Sequence, residues 1–391
     1  MSYKVAMSSP DLSELERQAV AEVLQTPRLS MGPRLEAFEG AIAARVGLRH
    51  AIAVNSGTAG LHLCVRAAEI GEGDAVLTSP FSFVASSNAL LYERAIPIFI
   101  DVDPVTGNLD PAQVAEAAAD LAEGGRRAER WLPRRGAGNS TSLRGLLTVD
   151  VFGQPADHDP LMATARQHGL IVIEDSCEAL GASYKGRPAG TLGDIAVFAF
   201  YPNKQITSGE GGMVVTDRDS LASMVRSLRN QGRAPGDTWL DHTFLGYNYR
   251  MDELNAALGH VQMTRLDELM AKRDAVAGWY AEQLAKIPGV EPPVVVPNTT
   301  RMSWFVYVVR FAQGIDRDSV IQRLDAEGIP SRPYFKPIHL QPYVQQRFDT
   351  RNGDFPVAED LGGRGLALPF SGVMRQEDVG LVCDTLRKVI G

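Results

Sequence analysis

Short apolar runs alternate with helical segments through the first half of this 391-residue chain. The apolar runs lie at residues 50–54, 74–78, 96–102, 146–151, 170–174, 195–200 and 213–215. Uninterrupted apolar runs of this length are typical of strands buried on both faces, and parallel strands require a long connection between neighbours. The alternation therefore predicts an α/β fold with a mostly parallel central sheet covered by helices on both faces.

The chain is longer than a single hydrophobic core comfortably supports, so we expect two domains. A long amphipathic stretch at 251–287 follows the first half, and beyond it the periodicity predicts a strand at 305–311 and helices at 316–327 and 377–390. We place a large domain at residues 1–250. Residues 251–391 are expected to form a linking helix and a smaller C-terminal α/β domain.

One segment, within residues 120–143, interrupts this rhythm. Residues 123–143 contain five arginines among Gly and Ser and have no apolar period. We interpret the segment as a surface insertion. A solvated loop is the simpler interpretation, although its arginines could reach a phosphate.

Composition argues against several classes of protein. The formal net charge of −8 argues against nucleic-acid binding, because no basic face is available to release counterions. The three cysteines lack C-x-x-C spacing, so we expect no metal site, no disulfide framework and a cytoplasmic location. No apolar run is long enough for a membrane span, and the first residues lack the apolar core of a signal peptide.

Two segments place polar groups where predicted strands end. Asn55-Ser56-Gly57-Thr58 lies between a strand and a helix, where backbone N–H groups can bind a phosphate. A plain strand-to-helix turn is the alternative. The segment LIVIEDSCEALG brings Asp175 to the end of a buried strand, the edge at which such sheets bind ligands. Its carboxylate could pair with a pyridinium nitrogen, or it could cap the residues that follow.

Two further segments carry possible ligand groups. Lys204 follows an apolar strand and precedes a glycine-rich turn. An amine on a buried edge loses stabilisation of its charged form and becomes a usable nucleophile, whereas an exposed loop lysine would have no such role. Asn248 and Arg250 precede the long amphipathic stretch and could face an anion or cap a helix.

Taken together, these residues resemble a known family. The spacing of Gly57-Thr58, Asp175, Lys204, the GEGG turn at 209–212 and Asn248-Tyr249-Arg250 resembles that of the DegT/StrS nucleotide-sugar aminotransferases. The resemblance runs from LSMGPRLEAFE near residue 29 to ALPFSGVMRQEDV near residue 379, and it is most specific from VFGQPADHD to GEGGMVVTD. It implies fold type I, with a large domain that binds pyridoxal 5′-phosphate (PLP) and a smaller C-terminal domain. It also implies a homodimer with shared active sites.

The resemblance implies a role for each matching residue. Lys204 would hold PLP as a Schiff base, Asp175 would pair with the pyridine nitrogen, and Gly57 and Thr58 would hold the phosphate. The other implied contacts are Phe83 stacking on the ring, Cys177 supporting its other face, Asn248 reaching the phosphate across the dimer interface, and His339 near the sugar. Arg250 is a candidate substrate-binding residue for a different reason: in an acidic protein, local donors must offset the charge of a nucleotide diphosphate.

The chain departs from the family pattern at two positions. Ala199 stands where the family usually has Ser, so one side-chain donor to the phosphate is missing. Glu178 stands where Gln or His is frequent, near the cofactor's phenolic oxygen, so either Glu178 is protonated or a donor separates two anions. A Glu here is similar to the perosamine-synthase branch, which aminates C4 of a GDP-linked 4-keto-6-deoxy sugar.

The implied reaction transfers an amino group from an amino acid, expected to be L-glutamate, to a nucleotide-linked keto sugar. A 4-keto-6-deoxy hexose is the expected substrate, and a 3-keto nucleotide sugar or a cyclitol ketone is the alternative. Lys204 argues against a sugar 3-dehydratase, which resembles these enzymes but has His at that position. The presence of both Lys204 and Asp175 argues against a non-catalytic regulatory or scaffold protein.

Overall fold

The computed structural model describes residues 3–137, 141–238 and 240–391. The helices are α1 Glu14–Leu24, α2 Pro33–Val46, α3 Gly57–Ala67, α4 Ala85–Tyr92, α5 Pro111–Glu123, α6 Gly125–Glu129, α7 His158–His168, α8 Asp219–Arg229, α9 Glu253–Thr264, α10 Leu266–Leu284, α11 Arg317–Ala326, α12 Pro342–Phe348, α13 Pro356–Arg364 and α14 Gln376–Ile390. Within the described ranges, none of these helices combines the length and apolarity needed to cross a membrane.

The strands are mostly short. They are β1 His50–Val54, β2 Asp74–Thr78, β3 Ile96–Phe99, β4 Ser142–Val149, β5 Ile171–Asp175, β6 Ser183–Tyr184, β7 Arg187–Pro188, β8 Ile195–Ala199, β9 Gly212–Thr216, β10 Val290–Glu291, β11 Thr299–Arg301, β12 Tyr307–Phe311, β13 Arg332–Pro333 and β14 Gly365–Leu368. They form sheets of seven, four and three strands.

The seven-stranded sheet has the order β1-β9-β8-β5-β4-β2-β3. Neighbours from β8 to β3 run parallel, whereas β9 runs antiparallel to both β1 and β8. In this register Val149 lies beside Asp175, and Asp175 lies beside Val197, so the carboxyl ends of β4 and β5 are level. The mostly parallel sheet confirms the predicted α/β class.

Helices cover both faces of this sheet. Successive side chains of a strand point to opposite faces. Accordingly, Val197 of β8 packs in a cluster with Leu61 and Val65 of α3, whereas its neighbour Phe198 packs with Phe38 of α2. Burial on both faces explains why the strands appear in the sequence as nearly continuous apolar runs.

The four-stranded sheet is antiparallel and has the order β10-β12-β14-β13. Its core joins the sheet to α10, α11 and α14 through buried side chains that include Tyr280, Leu324 and Leu386. The chain therefore builds one sheet from residues 50–216 and another from residues 290–368. The domain boundary at residue 250 stays a prediction.

The predicted continuous stretch at 251–287 is two helices. The break falls at Arg265, between α9 and α10. Its guanidinium bonds Asp11, Glu16 and Glu268, at distances of 2.8, 2.6 and 3.1 Å. The apolar periodicity continues across the break, and two of the three partners of Arg265, Asp11 and Glu16, are distant in the sequence, which explains the incorrect expectation of one helix.

The arginine-rich insertion packs against the rest of the chain over its described part. Arg134 makes a bidentate ion pair with Asp354, at 2.8 and 2.6 Å, and Arg135 donates to the carbonyl of Gln346 at 3.1 Å. Trp131 donates its indole N–H to Asp120 at 2.8 Å. A short helix, α6, and the start of β4 occupy residues 125–129 and 142–143, where the simpler interpretation expected a loop, whereas residues 130–137 form a loop that is partly bound to the rest of the chain. Residues 138–140 lie outside the described residues.

One buried ion pair gives the fold a testable dependence on pH. Burial raises the pKa of Glu16, but hydrogen bonds from Ser13, Arg265 and Gln262 outweigh it and lower that pKa from 4.5 to about 2. A carboxylate with a depressed pKa stabilises the folded state above its unfolded pKa and loses that contribution as the pH falls. Glu16→Gln should therefore lower the free energy of unfolding by about 2–3 kcal/mol at pH 7.

The difference between wild type and Glu16→Gln should persist down to a pH of about 4.5 and shrink as the pH falls toward 2. Urea unfolding across this range measures it. Glu14→Gln is the matched control, because Glu14 makes an exposed ion pair with Arg17 and should change stability little. An equal difference at neutral and acidic pH would contradict the assignment.

Candidate active site

A cavity of about 380 Å³ opens at the carboxyl ends of the parallel strands. The last residues of β4, β5 and β8, which are Val149, Asp175 and Ala199, form part of its wall, and the first turn of α3 forms another part. Seven of the predicted site residues line it together: Gly57, Thr58, Phe83, Asp175, Cys177, Glu178 and Lys204.

The first turn of α3 is suited to bind an anion. The N-cap Ser56 accepts a hydrogen bond from the N–H of Ala59, and the N–H groups of Gly57 and Thr58 precede the helical hydrogen-bonding pattern. A Cβ at Gly57 would lie 2.7 Å from the Cβ of Ala199 and 3.1 Å from the Sγ of Cys177. Glycine at this position therefore allows the helix N-terminus to approach β8 closely.

Asp175 is buried at the base of the cavity. Its Oδ2 accepts from the hydroxyl of Ser86 at 2.6 Å, and its Oδ1 accepts from the N–H of Cys177 at 3.2 Å. Burial raises the pKa of Asp175, and the Ser86 hydrogen bond opposes that rise. Among the described residues, no cation lies within ion-pair distance of this carboxylate. It can therefore accept a hydrogen bond from a protonated ring nitrogen.

Lys204 lies opposite, beside Glu178 and an aromatic ring. The Lys204 Nζ is 3.6 Å from Oε1 of Glu178 and 3.7 Å from the centroid of the Phe305 ring. The other carboxylate oxygen of Glu178 accepts from the N–H of Phe152 at 2.9 Å. Burial raises the pKa of Glu178, whereas Lys204 and the Phe152 N–H lower it. The groups that face the Glu178 carboxylate are thus Lys204 and a backbone amide, and protonation of Glu178 stays the alternative.

Three predicted residues do not line the cavity. Asn248 is exposed, and Arg250 donates to Oδ1 of Asn230 at 3.0 Å. His339 is fully buried, and its Nε2 lies 2.9 Å from Oε1 of Glu359. Its ring packs inside the protein and does not line this cavity, so the role near the sugar that the resemblance implied for His339 stays a prediction.

Sequence reasoning missed several residues of the cavity wall. Phe305, Tyr334 and Phe335 come from the C-terminal part of the chain, and Ser82 and Tyr201 come from loops after strands. Tyr201 precedes Lys204 in the segment FYPNK, so its position offered a local signal. The three C-terminal residues offered none, because their approach depends on how the two sheets pack.

The sequence profile of the DegT/DnrJ/EryC1/StrS aminotransferase family matches residues 10–387. The chain is 38% identical over 391 residues to the GDP-perosamine synthase of Caulobacter vibrioides, covering 99% of this chain and 98% of that protein. S. venezuelae DesV has a TM-score of 0.86 and 33% identity, with 99% and 98% coverage. DesI, solved in the presence of its TDP-sugar product, has a TM-score of 0.84 and 32% identity, with 99% and 93% coverage.

A lysine, and an aspartate with no cationic partner among the described residues, lie at the carboxyl ends of a mostly parallel sheet. With these similarities, they define a PLP-dependent aminotransferase of fold type I. The chain belongs to the DegT/DnrJ/EryC1/StrS aminotransferase family. It is a nucleotide-sugar aminotransferase that uses PLP.

The described residues fit this cofactor. Asp175 is a buried carboxylate without a cationic partner among them, which suits a pyridinium nitrogen. The N-terminus of α3 offers backbone donors to a phosphate, and the small side chain of Ala199 leaves that approach open. Ala199 has no hydroxyl, so the backbone donors would have to carry more of any phosphate binding.

The close approach at Gly57 leads to a prediction about cofactor affinity. Gly57→Ala would place a Cβ 2.7 Å from Ala199 and force the first turn of α3 away from β8. We expect the Kd for PLP to rise by about tenfold or more, which corresponds to about 1.4 kcal/mol. Titration of the apo-protein with PLP, followed by visible absorption, measures the affinity.

Gly40→Ala is the matched control, because a Cβ at Gly40 in α2 would meet nothing within 4 Å. That variant should bind PLP like the wild type and be slightly more stable, since Ala favours a helix. Unchanged PLP affinity in a folded Gly57→Ala variant would show that the helix terminus does not hold the phosphate.

Proposed function

We propose that this protein transfers an amino group from L-glutamate to C4 of a GDP- or dTDP-linked 4-keto-6-deoxy hexose. The observation that carries the proposal is the pairing of Glu178 with Lys204 inside the cavity, at 3.6 Å. The GDP-perosamine synthase of Caulobacter vibrioides, 38% identical over nearly the whole chain, supports the GDP-linked form. The TDP-sugar product of DesI is the reason to include the dTDP-linked form.

Lys204 is the proposed catalytic residue. Its amine would hold the cofactor and, when released, move a proton as general base and then as general acid. The side chain is largely buried between Glu178 and the ring of Phe305, which restricts the positions that the amine can occupy. A restricted amine suits this role because proton transfer requires it within hydrogen-bonding reach of the reacting carbon.

The remaining groups would bind and orient the cofactor. When bound, PLP supplies the electron sink for transfer of the amino group. Asp175 would keep the ring nitrogen protonated, the N–H groups of Gly57 and Thr58 would bind the phosphate, and Phe83 would pack against the ring. The N-terminal end of a helix attracts a phosphate because its N–H groups and its dipole both favour negative charge.

Glu178 would act at the cofactor's phenolic side. Its carboxylate already accepts from the Phe152 N–H and faces Lys204. The burial that raises the pKa of Glu178 favours its protonated form whenever the charge of Lys204 is consumed. A protonated carboxyl can donate to an oxygen anion, so Glu178 would avoid repulsion between two negative groups.

We also propose that two chains form a homodimer with shared sites. Asn248 would reach the partner's phosphate and Arg250 would contact the substrate, since both lie outside this chain's cavity. The 62% exposure of Phe83, a large ring beside the cavity, supports an interface there, because aromatic rings are enriched at interfaces. A cytoplasmic location stays a prediction from the cysteine pattern.

Mixed dimers test both Lys204 and the shared site. Lys204→Ala and Asn248→Ala homodimers should each be nearly inactive. Hybrids formed from the two chains should contain one site with both groups intact. Random mixing of equal amounts should therefore restore activity to roughly a quarter of wild type, because half of the dimers are hybrids with one repaired site.

Two controls accompany this mixing. Lys185→Ala changes an exposed lysine that pairs with Asp159, and it should keep full activity. Gly57 and Lys204 are expected to serve the same site from one chain, so a hybrid of Lys204→Ala and Gly57→Ala contains no site with both groups intact. This mixture should therefore show no activity beyond that of Gly57→Ala itself. If the Lys204→Ala and Asn248→Ala mixture shows no more than the parents' summed activity, the shared site is absent.

The substrate is tested directly with a panel of keto sugars. We expect a GDP- or dTDP-linked 4-keto-6-deoxy hexose to be converted with glutamate as donor, while the free keto sugar is a poor substrate. The reason is that a deoxy sugar offers few hydroxyl groups, so binding energy must come mainly from the nucleotide. NMR of the product locates the new amine.

The panel also includes a 3-keto nucleotide sugar and a free cyclitol ketone. An amine at C3, or equal turnover of the cyclitol ketone, would replace the proposed substrate by its alternative and leave the role of Lys204 standing. Replacing glutamate by glutamine in the same assay identifies the amino donor. Faster turnover with glutamine would reject glutamate.

A further inference from the structure

Arg273, on α10, is a buried cation whose hydrogen bonds go to backbone carbonyls. It is 4% exposed, and among the described residues no carboxylate lies within ion-pair distance of it. Burial lowers its pKa from 12.5 to about 10. A buried charge is costly unless hydrogen bonds replace its hydration, so the contacts of Arg273 must compensate for a large desolvation penalty.

The guanidinium bridges two segments of the cavity wall. Its Nη2 donates to the carbonyls of Asn203 and Lys204 at 3.1 and 2.6 Å. Its Nη1 donates to the carbonyls of Trp304 and Phe305 at 3.0 and 3.3 Å. The planar fork of an arginine fits such paired acceptors, whereas a lysine ammonium is a compact point charge.

These two segments carry the two groups that meet in the cavity. One holds Lys204, and the other holds Phe305, whose ring centroid is 3.7 Å from the Lys204 Nζ. Gln205 reinforces the same connection, because its side-chain amide donates to the carbonyls of both Glu178 and Ser303. The backbone on either side of the lysine–ring contact is thus fixed by one cation and one amide.

We propose that Arg273 is a positioning residue that holds Lys204 against the Phe305 ring, so that the amine is presented to the cofactor and to the reacting carbon. This inference rests on the proposed role of Lys204. An amine attracted to an aromatic face keeps a defined place through the cation–π interaction, provided that backbone movement does not separate the two groups. Arg273 itself touches neither cofactor nor substrate in this arrangement.

The test uses the rate of cofactor capture by the apo-protein. Arg273→Lys keeps the charge but loses the fork, and Phe305→Leu removes the ring. PLP is added to each variant and to the double variant, and the growth of the visible absorption of the lysine-linked cofactor is followed. We expect each single variant to slow capture by about tenfold or more, since small displacements of a reacting group have effects of this size.

The double variant should be no slower than the slower single variant, because both changes break one arrangement. In the loaded enzyme, kcat should fall by a similar factor while KM for the nucleotide sugar stays within about threefold. Arg317→Lys is the matched control, because Arg317 also donates to two backbone carbonyls, those of Gly362 and Gly365, but lies away from the cavity. It should capture PLP at the wild-type rate.

A wild-type rate of PLP capture and a wild-type kcat in folded Arg273→Lys would overturn the inference. So would a double variant whose capture is slowed by the product of the two single-variant factors. A lower urea midpoint with unchanged capture would make Arg273 merely structural and overturn it as well. Arg273→Gln, which keeps donors without the charge, provides a second variant if Arg273→Lys does not fold. If Lys204→Ala captures PLP with the wild-type spectrum, the proposed role of Lys204 fails. If PLP capture requires Lys204 but its rate is unchanged in the Arg273 variants, this inference fails and the proposed role of Lys204 stands.

Discussion

The end of β5 carries two consecutive buried carboxylates, and the alternation of the strand sends them to opposite faces. Glu174 accepts from the backbone N–H groups of Gly190, Leu192 and Gly193, at 2.6, 2.9 and 3.1 Å. Those residues lead into β8, so Glu174 fixes that strand beside β5. Asp175 receives one hydroxyl and one amide. The hydrogen bonds of Glu174 are thus supplied by the fold. Asp175 can still accept a hydrogen bond from a ligand, and it lines the cavity.

The sequence predicted the parts of the site that depend on local order. Asp175 ends a buried strand, and Gly57 and Lys204 come shortly after one. Parallel strands bring their carboxyl ends to one edge of the sheet, so the meeting of these residues could be inferred. Phe305 and Arg273 could not be inferred, because periodicity indicates which face of an element is buried but not which distant element covers it. For the same reason, periodicity did not reveal that the partner of His339 is Glu359, twenty residues further on.

The ion pairs of the arginine-rich insertion could not be predicted from the sequence either. Its composition suggested solvent or a phosphate, yet Arg134 pairs with Asp354 and Arg130 with Asp120. One of these pairs spans 220 positions and the other 10, so no local pattern indicates both. An arginine already bound in a fork to a carboxylate has few donors left for another anion. In the structure, this segment therefore binds residues 349–354, and its arginines do not line the cavity.

The charges that line the cavity indicate whether one chain can bind the substrate alone or needs a residue from a partner chain. Among its described lining residues, Asp175, Glu178 and Glu210 are acidic and Lys204 is the one base. The positive end of α3 would be occupied by the cofactor's phosphate under the proposed function. With Asp175 paired to the ring nitrogen, Glu178 protonated and Lys204 engaged by the cofactor, a nucleotide diphosphate would meet the acidic Glu210 and no free cation among the described lining residues, and like charges at short range cost binding energy. Its neutralisation must come from outside the cavity. Arg250 donates to an amide and retains further N–H donors, so a partner chain that supplies it would resolve the conflict.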